Sequence, residues 1–165
     1  LGSLEGVTAT ESGWIDSLEV VTVRFDAARL SRRALFEHAK EHGCTTRVWT
    51  TSDEQLKVAR DVVGDKAVAL GKTSIRAAKE SDQVYYLRQS PLRFLPLTPL
   101  QARRVNGALH ARTDPGIWLS PRQQALAKRI QSKLVADPKG LDDLDRPAEL
   151  TKLDEYQKSV TVAVD

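Results

Sequence analysis

Two segments rich in β-branched residues, Gly6–Trp14 and Leu18–Phe25, follow one another almost directly, and this constrains the fold more than any other feature of the chain. The link, Gly13–Ser17, is short enough for a β-hairpin, so the segments are predicted to pair as neighbours. In Leu18–Phe25 (LEVVTVRF) the residues Glu19, Val21, Val23 and Phe25 share one face, because side chains of a strand alternate. Ser31 then offers an N-cap, Leu35, Phe36 and Ala39 recur at helical spacing, and Gly43 stands as a stop after His42. Thr46–Thr51 reads as a strand. Ser52 and Gln55 form an S-x-x-Q capping-box pattern ahead of a helix that carries Leu56, Val58, Ala59, Val62 and Val63 and ends at Gly64. Lys66–Leu70 reads as a further strand. The order β-β-α-β-α-β predicts an α+β fold, a mixed sheet with helices covering one face.

The remainder has a different character. A short helix or turn after Ser81 carries Tyr85, Tyr86 and Leu87, and Pro91, Pro96 and Pro99 interrupt the chain beyond it. Two similar helix starts follow, Leu97-Thr98-Pro99-Leu100-Gln101 and Leu119-Ser120-Pro121-Arg122-Gln123, 22 residues apart. In each, a hydroxyl can cap the helix while Pro takes the first helical position, where its missing N–H costs nothing. The two helices are predicted to pack as an αα-hairpin through Leu100, Leu109, Leu126 and Ile130. Residues 137–155 read as a surface crossing, and Ser159–Val164 (SVTVAV) as a last strand. A chain of 165 residues suits a single domain, here a sheet core over residues 4–90 with a helical extension over 91–165.

Cys44 is the one cysteine, which excludes an internal disulfide and a cysteine-rich zinc site. No apolar run approaches the ~20 residues that span a bilayer. The net charge of +3 is unevenly spread: residues 88–133 hold nine basic side chains and a single acidic one, Asp114. Such a block suits an acidic protein or nucleic acid, or simply a solvated face. The start LGSLEGV contains no initiator Met, so an earlier segment is expected to be missing.

Three segments, taken in order, resemble peptide-methionine sulfoxide reductase A. Gly6-Val7-Thr8-Ala9-Thr10-Glu11-Ser12-Gly13-Trp14 is similar to the family's G-V-x-x-T-x-x-G-Y strand. Leu18–Asp26 is similar to its H-A-E-A-V-x-V-x-[FY]-D, in which the Glu assists catalysis, and Ser31–Phe36 follows where the family has a helix. Thr46–Gln55 is similar to Y-R-S-A-I-F-Y-x-x-E-E-Q, with weaker likeness in Glu80–Leu87 (ESDQVYYL). The likeness covers about residues 4–90. The family's nucleophile motif, G-C-F-W upstream of the first strand, has no counterpart in the chain, and Cys44 takes the place of a substrate-contacting Tyr. The resemblance implies a ferredoxin-like core of the sulfoxide reductase A type. It implies a sulfoxide-containing peptide or small molecule as substrate. It implies no bound cofactor, and an external thioredoxin-like dithiol as reductant.

The candidate site follows from residue chemistry and resemblance together. Glu19, on an apolar strand face, is expected to be desolvated and able to donate a proton to a sulfoxide oxygen; the bland alternative is a charge near a strand end. Cys44, at a helix-to-strand junction, is a nucleophile that attacks, a resolving thiol, or a small buried residue. His42 and Arg47 stand near enough in sequence to favour its thiolate. Trp14 and Trp49 suit an apolar wall for a methyl thioether, or ordinary core packing. Tyr85 and Tyr86 offer hydroxyl donors. His38 and His42, four apart on a helix, lack an evident third metal ligand. The runner-up reading is a non-catalytic module that binds an acidic protein or nucleic acid through Arg103, Arg104, Lys128 and Arg129.

Overall fold

A computed structural model describes residues 1–144 and 150–165. The chain forms two compact units, Leu1–Ala78 and Lys79–Asp165. The boundary placed near residue 90 by sequence thus falls earlier, because Leu87 is 1% exposed and belongs to the core of the second unit.

The first unit begins with the hairpin. Strand β1 (Val7–Ile15) pairs antiparallel with β2 (Leu18–Phe25), so Trp14 stands opposite Glu19 and Ile15 opposite Leu18. Asp16 and Ser17 make the turn, with Asp16 in the left-handed region at φ 52°, where Asp is better tolerated than most residues. The register slips between Val7 and Ala9, a bulge near the start of β1. On its other side β1 pairs with a two-residue strand, here β5 (Arg76–Ala77). Gly13 permits this: a Cβ there would lie 2.8 Å from the Arg76 carbonyl oxygen.

Helix α1 (Arg32–Glu41) is capped by Ser31, whose hydroxyl accepts from Ala34 N–H. Helix α2 (Asp53–Val63) is capped by Ser52, which accepts from Gln55 N–H. Gln55 reaches back one residue further than a capping box requires, accepting from the N–H and hydroxyl of Thr51. Between them, β3 (Val48–Thr50) runs parallel to β4 (Ala67–Ala69), with α2 as the crossover. The two helices pack together and are tied by Arg33–Asp61 at 3.1 Å, Arg32–Glu54 at 2.7 Å, and Lys40 Nζ on the Val62 carbonyl. Val7, Leu30 and Leu35 form the buried cluster beside the hairpin.

The α+β class holds, but the single mixed sheet does not. Two sheets form, a three-stranded antiparallel one in the order β2-β1-β5 and a two-stranded parallel one, β3-β4. Among the described residues no strand bridges β2 and β3, so each keeps an unpaired edge.

The second unit is helical. Its elements are α3 (Glu80–Gln83), α4 (Tyr85–Arg88), α5 (Pro99–Ala111), α6 (Pro121–Ala136) and α7 (Leu153–Val164). Thr98 and Ser120 head α5 and α6 with full capping boxes, each returned by the Gln three residues on. The αα-hairpin needs correction: α5 packs chiefly on α4 and on the turn Pro115–Trp118, and α6 chiefly on the turn Pro91–Phe94. Leu126 and Ile130 are buried and Leu109 packs on their cluster, whereas Leu100 lies outside it. The strand expected at Ser159–Val164 is also corrected. It lies in α7, where Tyr156 and Val160, four apart, bury one helical face against the core. Within the crossing read over 137–155, Leu141 is 1% exposed and therefore core; residues 145–149 of that segment lie outside the described residues.

Candidate functional site

A cleft of about 500 Å³ lies in the first unit, a volume typical of small-ligand sites. Strand β2 supplies one wall from Leu18 to Phe25, including Glu19. Helix α1 supplies Arg32, Leu35, Phe36 and Ala39. Cys44 and the segment Thr46–Trp49 supply another side, with Thr51, Gln55, Leu70 and Ile75. Glu19, Cys44 and Trp49, picked out from three different stretches of sequence, therefore line one cavity.

Local geometry explains how they arrive there. Gly43 takes φ +70° just after α1, which turns the chain sharply. The Cys44 N–H donates to the Ala39 carbonyl at 2.8 Å, anchoring the turn to the helix. The thiol is exposed, and its Sγ stands 3.5 Å from the His42 carbonyl oxygen as a weak donor. The buried alternative for this cysteine is thereby excluded. The Arg47 guanidinium lies over the Trp49 ring, 5.8 Å from its centroid, and has no ion-pair partner among the described residues. Arg32, by contrast, is committed to Glu54.

Glu19 is exposed, so the desolvation expected for its carboxylate is absent. It is the second residue of the edge strand β2, beside the Asp16–Ser17 turn. Trp14, directly opposite Glu19, is half-buried but does not line the cleft; Arg76 lies over its ring at 5.9 Å. His42 is exposed and does not line the cleft either. Its ring packs against that of His38, centroids 4.3 Å apart. Burial first, then the charges of His42 and of the N-terminal ammonium, hold His38 below its ordinary value of 6.5, with Glu41 opposing. Among the described residues no group of three His, Cys, Asp or Glu gathers in a metal-binding arrangement. Tyr85 and Tyr86 belong to the second unit, are 54% and 42% exposed, and do not line the cleft, which residues of the first unit form alone. Tyr86 packs instead against His110.

Sequence reasoning passed over Thr22, Thr46 and Ile75 as cleft residues. The strand pattern carries a signal for Thr22, but only if both faces of an edge strand are considered. For Ile75 there is none, since it only precedes β5, itself two residues long. In the basic block, Arg104 stacks on Trp118 at 4.5 Å and Arg129 pairs with Asp165, so two of the four cations proposed for an acidic protein or nucleic acid already have partners within the chain. Among the described residues no helix is long and apolar enough to cross a membrane.

Comparison of the chain with protein-family models, with curated proteins and with solved structures gives no match.

Proposed function

We propose that the cleft of the first unit carries out thiol-dependent reduction of a sulfoxide, methionine sulfoxide or a related sulfur substrate. In this reading the hairpin, α1, β3 and α2 correspond to the sheet core of peptide-methionine sulfoxide reductase A. One observation carries the proposal: Glu19 and Cys44, which resemblance and thiol chemistry single out independently, line the same cavity.

Cys44 attacks the sulfoxide sulfur through its sulfur lone pair. Its thiol proton passes by way of Glu19 to the sulfoxide oxygen, and the S–S bond of this adduct and the substrate's S–O bond break as the hydroxyl passes to the Cys44 sulfur. The net step converts thiol and sulfoxide into sulfenic acid and sulfide, oxidising Cys44 by two electrons and reducing the substrate by two. An external dithiol of the thioredoxin type then reduces the sulfenic acid, releases water, and leaves as a disulfide, restoring the thiol. Trp49 offers an apolar surface for the thioether methyl, with the Arg47 guanidinium over its ring.

The test is steady-state reduction of methionine sulfoxide by the full chain with dithiothreitol. Glu19→Gln keeps the shape but removes the dissociable proton, and should lower turnover by roughly 10²–10⁴-fold. Cys44→Ser should abolish it. Full activity in both variants contradicts the mechanism.

A further inference from the structure

Three aromatic rings stand together on the surface of the second unit. Tyr85 and Tyr86 of α4 are 54% and 42% exposed, and their ring centroids lie 5.3 Å apart, edge to face. The Tyr86 ring meets that of His110, an exposed residue of α5, at 4.8 Å. The Leu87 N–H donates to Asn106 Oδ1, which holds α4 against the same stretch of α5. The backbone that carries the rings is thus anchored while the rings stay open to solvent. Three arginines flank them. Arg88 follows Tyr85 by three residues, which puts both on one side of α4. Arg103 precedes His110 by seven, two turns along one face of α5, and Gly107 between them adds no side chain. Arg112 is the C-cap of α5, two residues beyond His110. None of the three has an ion-pair partner among the described residues. Asp114, the one acidic residue between 88 and 133, already accepts from the Gly116 N–H.

We propose that this face binds single-stranded nucleic acid, with bases stacked on the rings of Tyr85, Tyr86 and His110 and phosphates held by Arg88, Arg103 and Arg112. An unpaired strand exposes the π-faces of its bases, which aromatic side chains stack against, while its backbone seeks positive charge. A duplex keeps those faces inside its own stack. An acidic protein would answer the three cations but leave the rings without a partner of matching shape. Of the four cations named from the sequence, this face uses Arg103 alone. Every residue involved belongs to the second unit, so the inference stands apart from the sulfur chemistry of the first.

The test is fluorescence anisotropy of a labelled oligothymidylate of about 12 nucleotides titrated with the full chain. Affinity should fall as salt rises, with a log–log slope of about 2 in magnitude for three phosphate contacts. An abasic strand of the same length keeps the phosphates without the bases and should bind roughly tenfold more weakly or worse. Tyr86→Ala should weaken the thymidylate by about tenfold and leave the abasic strand unchanged, whereas Tyr86→Phe, which keeps the ring, should match the native chain. Arg103→Gln should weaken both strands and lower the salt slope by roughly 0.7. No binding of the thymidylate at about 50 mM salt with roughly 100 μM chain overturns the proposal. Equal affinity for the abasic strand also overturns it, because charge alone would then suffice, and that comparison needs no variant to fold. Unchanged thymidylate binding by Tyr86→Ala would place the strand elsewhere on the chain and overturns it as well. Equal binding of a polyglutamate peptide of matched charge would assign the face to an acidic protein instead.

Discussion

Glu19 shows where residue-level reasoning succeeds and where it stops. Its address in the cleft follows from the strand period and from the motif that contains it. Its exposure does not, because alternation tells which residues share a face, not whether a layer lies over that face. Cys44 shows the same limit in reverse: composition favours burial for a lone cysteine, yet the turn at Gly43 puts it at the surface. The histidine pair yields a prediction at this scale. Because the folded state holds His38 below 6.5, the folded chain binds a proton less readily than the unfolded chain does. Stability is therefore full above that value and is lost as pH falls from 6.5 toward the lowered value. Urea midpoints at roughly pH 7.5 and 5.5 should differ in the native chain, and His38→Gln should narrow the gap. An unchanged gap in the variant would show that His38 carries none of the slope.

Among the elements, those with strong local chemistry were legible. Ser31, Ser52, Thr98 and Ser120 all cap the helices that their spacing announces. Thr98→Ala or Ser120→Ala should each cost about 1 kcal/mol in chemical denaturation. The side chains of Gln101 and Gln123 also bond to each other, at 3.0 and 3.3 Å, so each serves its own cap and links the two helix starts. Alanine at both positions should cost less than the sum of the single changes, and simple additivity would mean that the link carries no energy. The glycines of the first motif acquire reasons as well. Gly6 sits at φ +89° with a prospective Cβ only 2.6 Å from the Leu30 Cβ, so Gly6→Ala meets both backbone strain and a clash. What misled was β-propensity near the C-terminus. In Ser159–Val164 the alternation of Val and Thr suggested a strand, but burial of Tyr156 and Val160 on one helical face prevails. The sheet itself was half legible: pairing within the hairpin is local, whereas the gap between β2 and β3 is a long-range fact with no local signature.

At the scale of the whole molecule, each unit has its own buried cluster, Val7, Leu30 and Leu35 in one, and residues such as Leu87, Leu97 and Ile130 in the other. The second cluster is the larger, so a fragment of residues 79–165 should fold cooperatively and show helical circular dichroism. A fragment lacking a cooperative melt would show that its core depends on the first unit. The cleft, by contrast, is made of first-unit residues alone, and its chemistry rests on Glu19 and Cys44 meeting one substrate there. The most direct test omits the reductant. Reduced full-length chain is mixed with excess methionine sulfoxide, and Cys44 is examined by mass spectrometry after dimedone trapping of sulfenic acid. The account predicts a dimedone adduct on Cys44 together with an equivalent of methionine, both strongly slowed in Glu19→Gln. An unmodified Cys44, with no methionine formed, would contradict it.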